Sequence, residues 1–249
     1  MLKIRNLGVI GMKISVVIPT YNEEKGLEKF LKQFNRQTLP RNEIEIIIVD
    51  GDSTDKTRQI AEKYADVVII QKSKGVGGAR NDGVEIAKAE IVTTTDADVI
   101  LAPFWLEKIY KHFEKDDNLV LLFGAGYPIT KQKVIQFFMG LKRIITQIFA
   151  KFHISYLAEG PNTAFRKKHF LQVGGYSDLP VMDDTEITSR MRHRGKIIYD
   201  NSVFVYASVR RTEKKGTIQT GYMLLITYLK LILFGKEGVQ VKDYAKQQY

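Results

Sequence analysis

The sequence predicts an α/β fold, a mostly parallel sheet flanked by helices. Three observations carry that expectation. Short apolar runs alternate with stretches of helical periodicity from residue 14 to residue 123. The run at 91–95, IVTTT, is β-branched throughout, as a strand covered on both faces tends to be. Acid-bearing turns follow the apolar runs, where ligands bind in open α/β sheets.

The elements follow in order. Residues 14–18 form a strand. Residues 24–34 carry Leu27, Phe30, Leu31 and Phe34 at helical spacing. Residues 44–49 form the second strand and 55–64 a helix, with Ser53 or Thr54 placed to cap it. Residues 67–70 form the third strand. A glycine-rich loop at 74–78 then leads into a helix from Ala79. The fourth strand is 91–95, Pro103 opens a helix through Phe113, and 119–123 is a further strand. This βαβ alternation implies right-handed crossovers and parallel neighbours. The second half departs from the pattern. A long helical segment spans 134–157, then a short strand (163–165) and a helix (168–173). An acidic stretch opens a helix ending at Arg194, strands lie near Ile197 and Val203, and a last apolar segment covers 218–234. The expected organisation is an N-terminal extension (1–12), a catalytic domain (13–210) and a C-terminal helix and tail (211–249). Met12 opens MKISVVIPT, so translation starting there would leave the fold intact. The apolar part of MLKIRNLGVIGM is too short for a secretory signal.

Composition narrows the function. The chain has no cysteine, which excludes disulfides and thiolate metal sites, and its four histidines leave little for a His-rich zinc site. The net charge is +10, with basic clusters at 166–169, 190–196 and 210–215. No nucleic-acid-binding signature accompanies them. Phosphate-bearing small molecules or an anionic membrane surface are the expected partners, and nucleic acid is not.

The strongest chemical signal is EIVTTTDADV, in which Asp96 and Asp98 follow a buried strand. Two carboxylates one residue apart suit a hard divalent cation that also bridges phosphates. In SVVIPTYNEE (15–24), an aromatic, an amide and two acids follow Pro19; an ordinary turn explains them equally well. VDGDSTD (49–55) offers carboxylates to the donors of a base or ribose. It is not a calcium loop, since Asp55 stands where glycine is needed and Ala61 where glutamate is. KGVGGARN (74–81) places glycines and a cation at a helix start, which favours phosphate. It is neither a dinucleotide fingerprint, because Arg80 replaces the third glycine, nor a P-loop. MDDTEITSRMRHRG (182–195) carries Asp183, Asp184 and Glu186 near a helix start, where acids also serve as dipole complements. One acid inside a cleft would be a general base. Arg190 and Arg194, one turn apart, face either a phosphate or solvent.

Together and in this order, these pieces resemble glycosyltransferase family 2, whose members have the GT-A fold. The resemblance runs from about residue 14 to about 205 and includes GPNTAFRKKHFLQVGGYSD (160–178). It implies inverting sugar transfer from a UDP- or GDP-linked sugar. It assigns Pro19, Tyr21, Glu23 and Asp50 to the nucleoside, with Arg80 in the same region. It assigns Asp98, with Asp96 nearby, to a divalent metal (Mn2+ or Mg2+) and the diphosphate. Asp184 takes the base position, where the family usually has Glu-Asp and this chain has Asp-Asp. Gly78, Asn162, Asp183 and Arg190 complete the substrate-binding candidates. Many family members place a histidine after the last core strand, able to help bind the metal. Here the region reads VYASVRRT, and Arg210 and Arg211 are cations placed to neutralise the diphosphate.

The segment VIQFFMGLKRIITQIFAKFHISYL is apolar but carries Lys142, Arg143 and Lys151, too interrupted for a membrane span. It suits a helix lying in the interface. GYMLLITYLKLILFG, with Lys230 inside, is similar. With the net charge, this predicts a protein peripheral on the inner face of the cell membrane, with a lipid-linked acceptor. The alternatives are packing of these helices on the sheet, a soluble enzyme with a glycan acceptor, and a non-catalytic nucleotide-sugar-binding module.

Overall fold

The computed structural model describes residues 3–4, 11–179, 181–209, 216, 219, 223 and 226–231. The strands are β1 (Lys3–Ile4), β2 (Ile14–Thr20), β3 (Ile44–Asp50), β4 (Val67–Ile70), β5 (Ile91–Thr94), β6 (Ile100–Leu101), β7 (Leu119–Ile129), β8 (Thr163–Arg166) and β9 (Lys196–Ser208). They form one sheet in the order β1-β4-β3-β2-β5-β8-β7-β9-β6. The block β4-β3-β2-β5 is parallel. β8 is antiparallel to both of its neighbours, so β7 and β9 run in the same direction as β5. The sheet is therefore mixed and mostly parallel.

The helices are α1 (Leu27–Leu31), α2 (Thr57–Tyr64), α3 (Gly75–Ile86), α4 (Trp105–Lys115), α5 (Lys133–Lys151), α6 (Lys167–Gln172) and α7 (Asp183–Met191). Strand periodicity sorts them into two layers. Ile14, Val16 and Ile18 of β2 join Phe30 of α1, Ala61 of α2, and Trp105 and Phe113 of α4 in one core. Val17, pointing the other way, joins Ala79 and Val84 of α3, Phe170 of α6 and Ile187 of α7 in the second. α3 reaches the sheet only because residue 83 is glycine. A Cβ there would lie 2.4 Å from Val17 Cγ1 and 2.9 Å from Val49 Cγ2.

Several expected boundaries shift for local reasons. α1 is short and continues as a 3-10 turn, Lys32–Arg36. α2 starts at Thr57 with Lys56 at its cap position rather than Ser53 or Thr54, and Asp55 Oδ1 accepts from Thr57 N at 2.9 Å in the turn leading in. α3 begins at Gly75, so the expected glycine loop is the helix's own first turns. β7 extends to Ile129, and one long β9 replaces the two strands expected near 197 and 203, its pairing with β7 shifting register between Gly124 and Ala125. α5 stops at Lys151. β1, within the expected N-terminal extension, forms one edge of the sheet and pairs antiparallel with β4.

Candidate active site

Parallel strands deliver their following loops to one edge of the sheet, and the motif residues gather there. The loops after β2 and β3 are laced together. Asn22 N donates to Ser53 Oγ at 2.9 Å, and Asn22 Oδ1 accepts from Thr54 N at 2.9 Å. Glu23 N donates to Thr57 Oγ1 at 2.7 Å, and Glu24 N to Asp55 Oδ2 at 3.1 Å. Asn22 adopts φ 52°, a left-handed conformation that asparagine tolerates and a tight turn requires. Pro19 is buried at the end of β2, and Tyr21 lies half-buried with its ring close to Gly51. Asp50 is fully enclosed. Its Oδ1 accepts from Ser53 Oγ at 2.6 Å, and its Oδ2 from Arg58 Nη2 at 3.0 Å and Ser53 N at 3.1 Å. Arg58 also reaches Asp52 at 2.9 Å, so a half-exposed guanidinium covers the carboxylate assigned to the nucleoside.

The second half of the site is built around Arg80, which α3 buries to 5% exposure. Its Nη2 donates to Asp96 Oδ1 at 2.9 Å, and its Nη1 lies 3.7 Å from Asp183 Oδ2. Its guanidinium carbon sits 5.7 Å from the Tyr176 ring centre. Burial alone would lower the pKa of this guanidinium, but Asp96 and Asp183 outweigh it and leave it raised, so Arg80 stays charged. Asp184 Oδ2 accepts from Gly160 N at 2.7 Å, and its Oδ1 from Thr185 N at 2.8 Å. Burial and the neighbouring Asp183 push the Asp184 carboxyl up to about 7, while Arg80, Lys142 and the Gly160 amide pull the other way. Asp183 is likewise raised, chiefly by burial. Its Oδ2 is buried without a hydrogen-bond partner.

Gly160 lets these groups meet. A Cβ there would lie 2.4 Å from Arg80 Nη1, and Gly160 O accepts from Thr94 Oγ1 at 2.7 Å. Glu159, beside it, accepts from Lys142 Nζ of α5 at 2.8 Å. Arg58, Lys142, Glu159 and Tyr176 are site residues that no sequence spacing marks, because they meet only through the fold.

Three candidates serve the fold instead. Asn162 is enclosed, its amide donating to Ala125 O (3.1 Å) and Val203 O (3.0 Å) and accepting from Trp105 Nε1 (2.8 Å). It spans the register shift between β7 and β9, and both of its amide hydrogens are taken up by backbone carbonyls. Arg190 is only partly exposed, and its guanidinium turns back on its own surroundings. It donates to Glu186 Oε1 (2.7 Å), Gly175 O (2.8 Å) and Ser177 Oγ (3.1 Å), holding α7 to the preceding loop. Gly78 is glycine because a Cβ would lie 2.8 Å from Ser73 Cβ, so close packing on that turn explains it. Arg210 and Arg211 lie outside the described residues.

The donor set fits a divalent cation shared with phosphates. Asp96 and Asp98 flank the buried Ala97, and both are partly open. Among the described residues no three His, Cys, Asp or Glu side chains converge as a complete cage. Two carboxylates leaving coordination positions for phosphate and water is how Mg2+-type ions usually bind nucleotides.

Sheet order, helix layers and the acid turn after β5 define a GT-A type α/β domain. The family model "Glycosyl transferase family 2" matches residues 15–174, and the chain belongs to that family. The poly(ribitol-phosphate) beta-glucosyltransferase of Bacillus spizizenii is 38% identical over 120 residues, 45% of this chain and 19% of that protein. The probable glycosyltransferase YdaM of Bacillus subtilis is 28% identical over 199 residues, 74% of this chain and 47% of that protein. The mannosyltransferase PcManGT of Pyrobaculum calidifontis, solved with GDP-Man and Mn2+, superposes with a TM-score of 0.66 at 23% identity, covering 81% of this chain and 58% of that one. TarS of Staphylococcus aureus with UDP-GlcNAc gives 0.63 at 22%, covering 80% and 59%. At such identity the two structures speak for the fold. The chain spans less than half the length of these curated relatives.

Proposed function

We propose that the chain is an inverting glycosyltransferase that takes a sugar from a UDP- or GDP-linked donor. The observation that carries this is that Asp184, an acid with a raised pKa held by the Gly160 amide, shares a site with the ion pair between the buried Arg80 of α3 and the partly open Asp96 that follows β5. An acceptor oxygen attacks the anomeric carbon from the face opposite the diphosphate. The bond to the diphosphate breaks with its electron pair, and the acceptor proton passes to Asp184. Asp98 and Asp96 would hold a divalent cation, Mn2+ or Mg2+, whose charge would stabilise the departing diphosphate. Arg80 keeps Asp96 in place, and the laced loops around Asp50 and Tyr21 receive the nucleoside. PcManGT with GDP-Man and Mn2+ and TarS with UDP-GlcNAc support the donor class.

The acceptor is lipid-linked, a polyprenyl or dolichyl phosphate or a lipid-linked glycan, met at the inner face of the cell membrane. The basic apolar segments support this. Among the described residues no helix is long and apolar enough to cross a membrane.

Asp184→Asn tests the chemistry. With a hydroxyl acceptor, turnover falls roughly 10²–10⁴-fold, the usual worth of a general base. With an already anionic lipid phosphate the loss is much smaller. Unchanged turnover on a hydroxyl acceptor overturns the base assignment.

A further inference from the structure

α5 turns most of its large apolar residues outward. Its apolar residues recur at helical spacing on the solvent side: Phe137 is 68% exposed, Ile144 55% and Ile148 46%, and the stripe continues into Phe152 at 67% and Ile154 at 58%. Its buried positions are Ile135, near its start, and Thr146, 4% exposed, while the half-exposed Lys142 reaches back to Glu159. A helix that only packed on the sheet would present the opposite pattern. A contiguous exposed apolar stripe of this kind marks an interaction surface.

Charge selects the occupant. From residue 131 to residue 158 there is no acidic side chain. Lys142 is taken up by Glu159 and Arg143 lies over the Tyr127 ring, which leaves Lys131, Lys133 and Lys151 as the cations flanking the stripe. A second copy seated on this face would set cations against cations. The chain's own apolar stretch at 218–234 brings Lys230 and no acid. Anionic headgroups complement both the stripe and its basic flanks, as they do for helices lying in an interface. We propose that the outer face of α5, continued through Phe152 and Ile154, docks flat on an anionic lipid bilayer. This surface stands on its own exposure and charge. What rests on the glycosyl-transfer reading is only the consequence that Lys142, on the inner side of the docked helix, sets the Asp184 cleft beside the lipid surface.

Flotation of the full chain with phosphatidylglycerol-containing vesicles and with pure phosphatidylcholine vesicles tests it. The expected result is binding to the anionic vesicles, weakened by salt. It should fall at least roughly tenfold in the triple variant Phe137→Ser, Ile144→Ser, Phe152→Ser. These positions are exposed, and an unchanged melting temperature confirms that the variant folds. The exposed pair Lys133→Glu, Lys151→Glu gives a second arm with the same expected loss. Failure to bind anionic vesicles, equal binding to neutral ones, or retention of binding by both variants overturns the proposal. So does a solution dimer that the serine variant dissociates without any vesicle binding, which would assign the face to a second copy. Donor turnover with a soluble acceptor reads the glycosyl-transfer reading separately.

Discussion

At Asp184, opposing influences meet on one carboxyl. Burial and Asp183 raise its pKa to about 7, against the ordinary 3.8, and Arg80 and Lys142 limit the rise. Asp183 titrates with it, so the two acids act as a coupled pair. A base must be ionised, so kcat/KM on a hydroxyl acceptor should climb as pH rises through about 7; a profile flat from pH 5 to 8 removes Asp184 from the base role. The same shift costs stability. The folded state holds this proton more tightly than the unfolded chain, so the contribution is full below about 3.8 and is lost as pH rises through about 7. Asp184→Asn, neutral throughout, should therefore melt higher than the native chain at pH 8 while losing activity, and a lower melting temperature would contradict the shift. The acids were legible in the sequence because carboxylates after a strand or at a helix start are local patterns. Arg58 on Asp50 and Lys142 on Glu159 were not, since nothing in sequence distance announces which cation folds back on which acid.

Among the elements, α3 and β8 show where tight packing concentrates. Gly83→Ala forces a methyl into Val17 and Val49, and overpacking of that kind costs about 1–3 kcal/mol, measurable by denaturant unfolding. Arg166 of β8 donates to Leu119 O at 3.0 Å and Phe113 O at 2.9 Å, joining the end of α4 to the start of β7. Its ion pairs, to Glu90 and Asp117, reach exposed carboxylates and count for little. Arg166→Ala should thus cost about 1.5–3 kcal/mol through the carbonyls it abandons, with little sensitivity to salt. A loss that salt abolishes would place the energy in the ion pairs instead. The strand–helix order was readable because β-branched runs and helical spacing are period signals. The start of α3 was not, because Gly77 and Gly78 look like a loop. They are glycines because Cβ atoms would meet Asp183 Oδ2 at 2.9 Å and Ser73 at 2.8 Å, contacts made only in the fold.

For the whole molecule, donor binding should show as ligand-linked stability. A nucleotide-sugar at a hundred times its Kd adds about 2.7 kcal/mol to unfolding, so a UDP- or GDP-sugar with Mn2+ should raise Tm by several degrees. Chelator should remove most of that gain, and so should Asp98→Ala. A gain indifferent to both would separate donor binding from the metal. The GT-A architecture was legible because motif order survives where overall identity is low. The outward turn of α5's apolar residues was only half legible: the segment's composition suggested an interface, but which side faces the protein is decided by Ile135 and Thr146 packing inward.

Gly160 has a consequence for how this chain can diverge. Its amide, its carbonyl and its bare α-carbon each serve a different partner: Asp184, Thr94 and Arg80. Substitutions at those three positions are therefore felt through one shared joint, and their effects should not add. Lineages that retune the acid or the arginine must shift both together, whereas the loops after β2 and β3, laced through separate bonds, are free to drift alone.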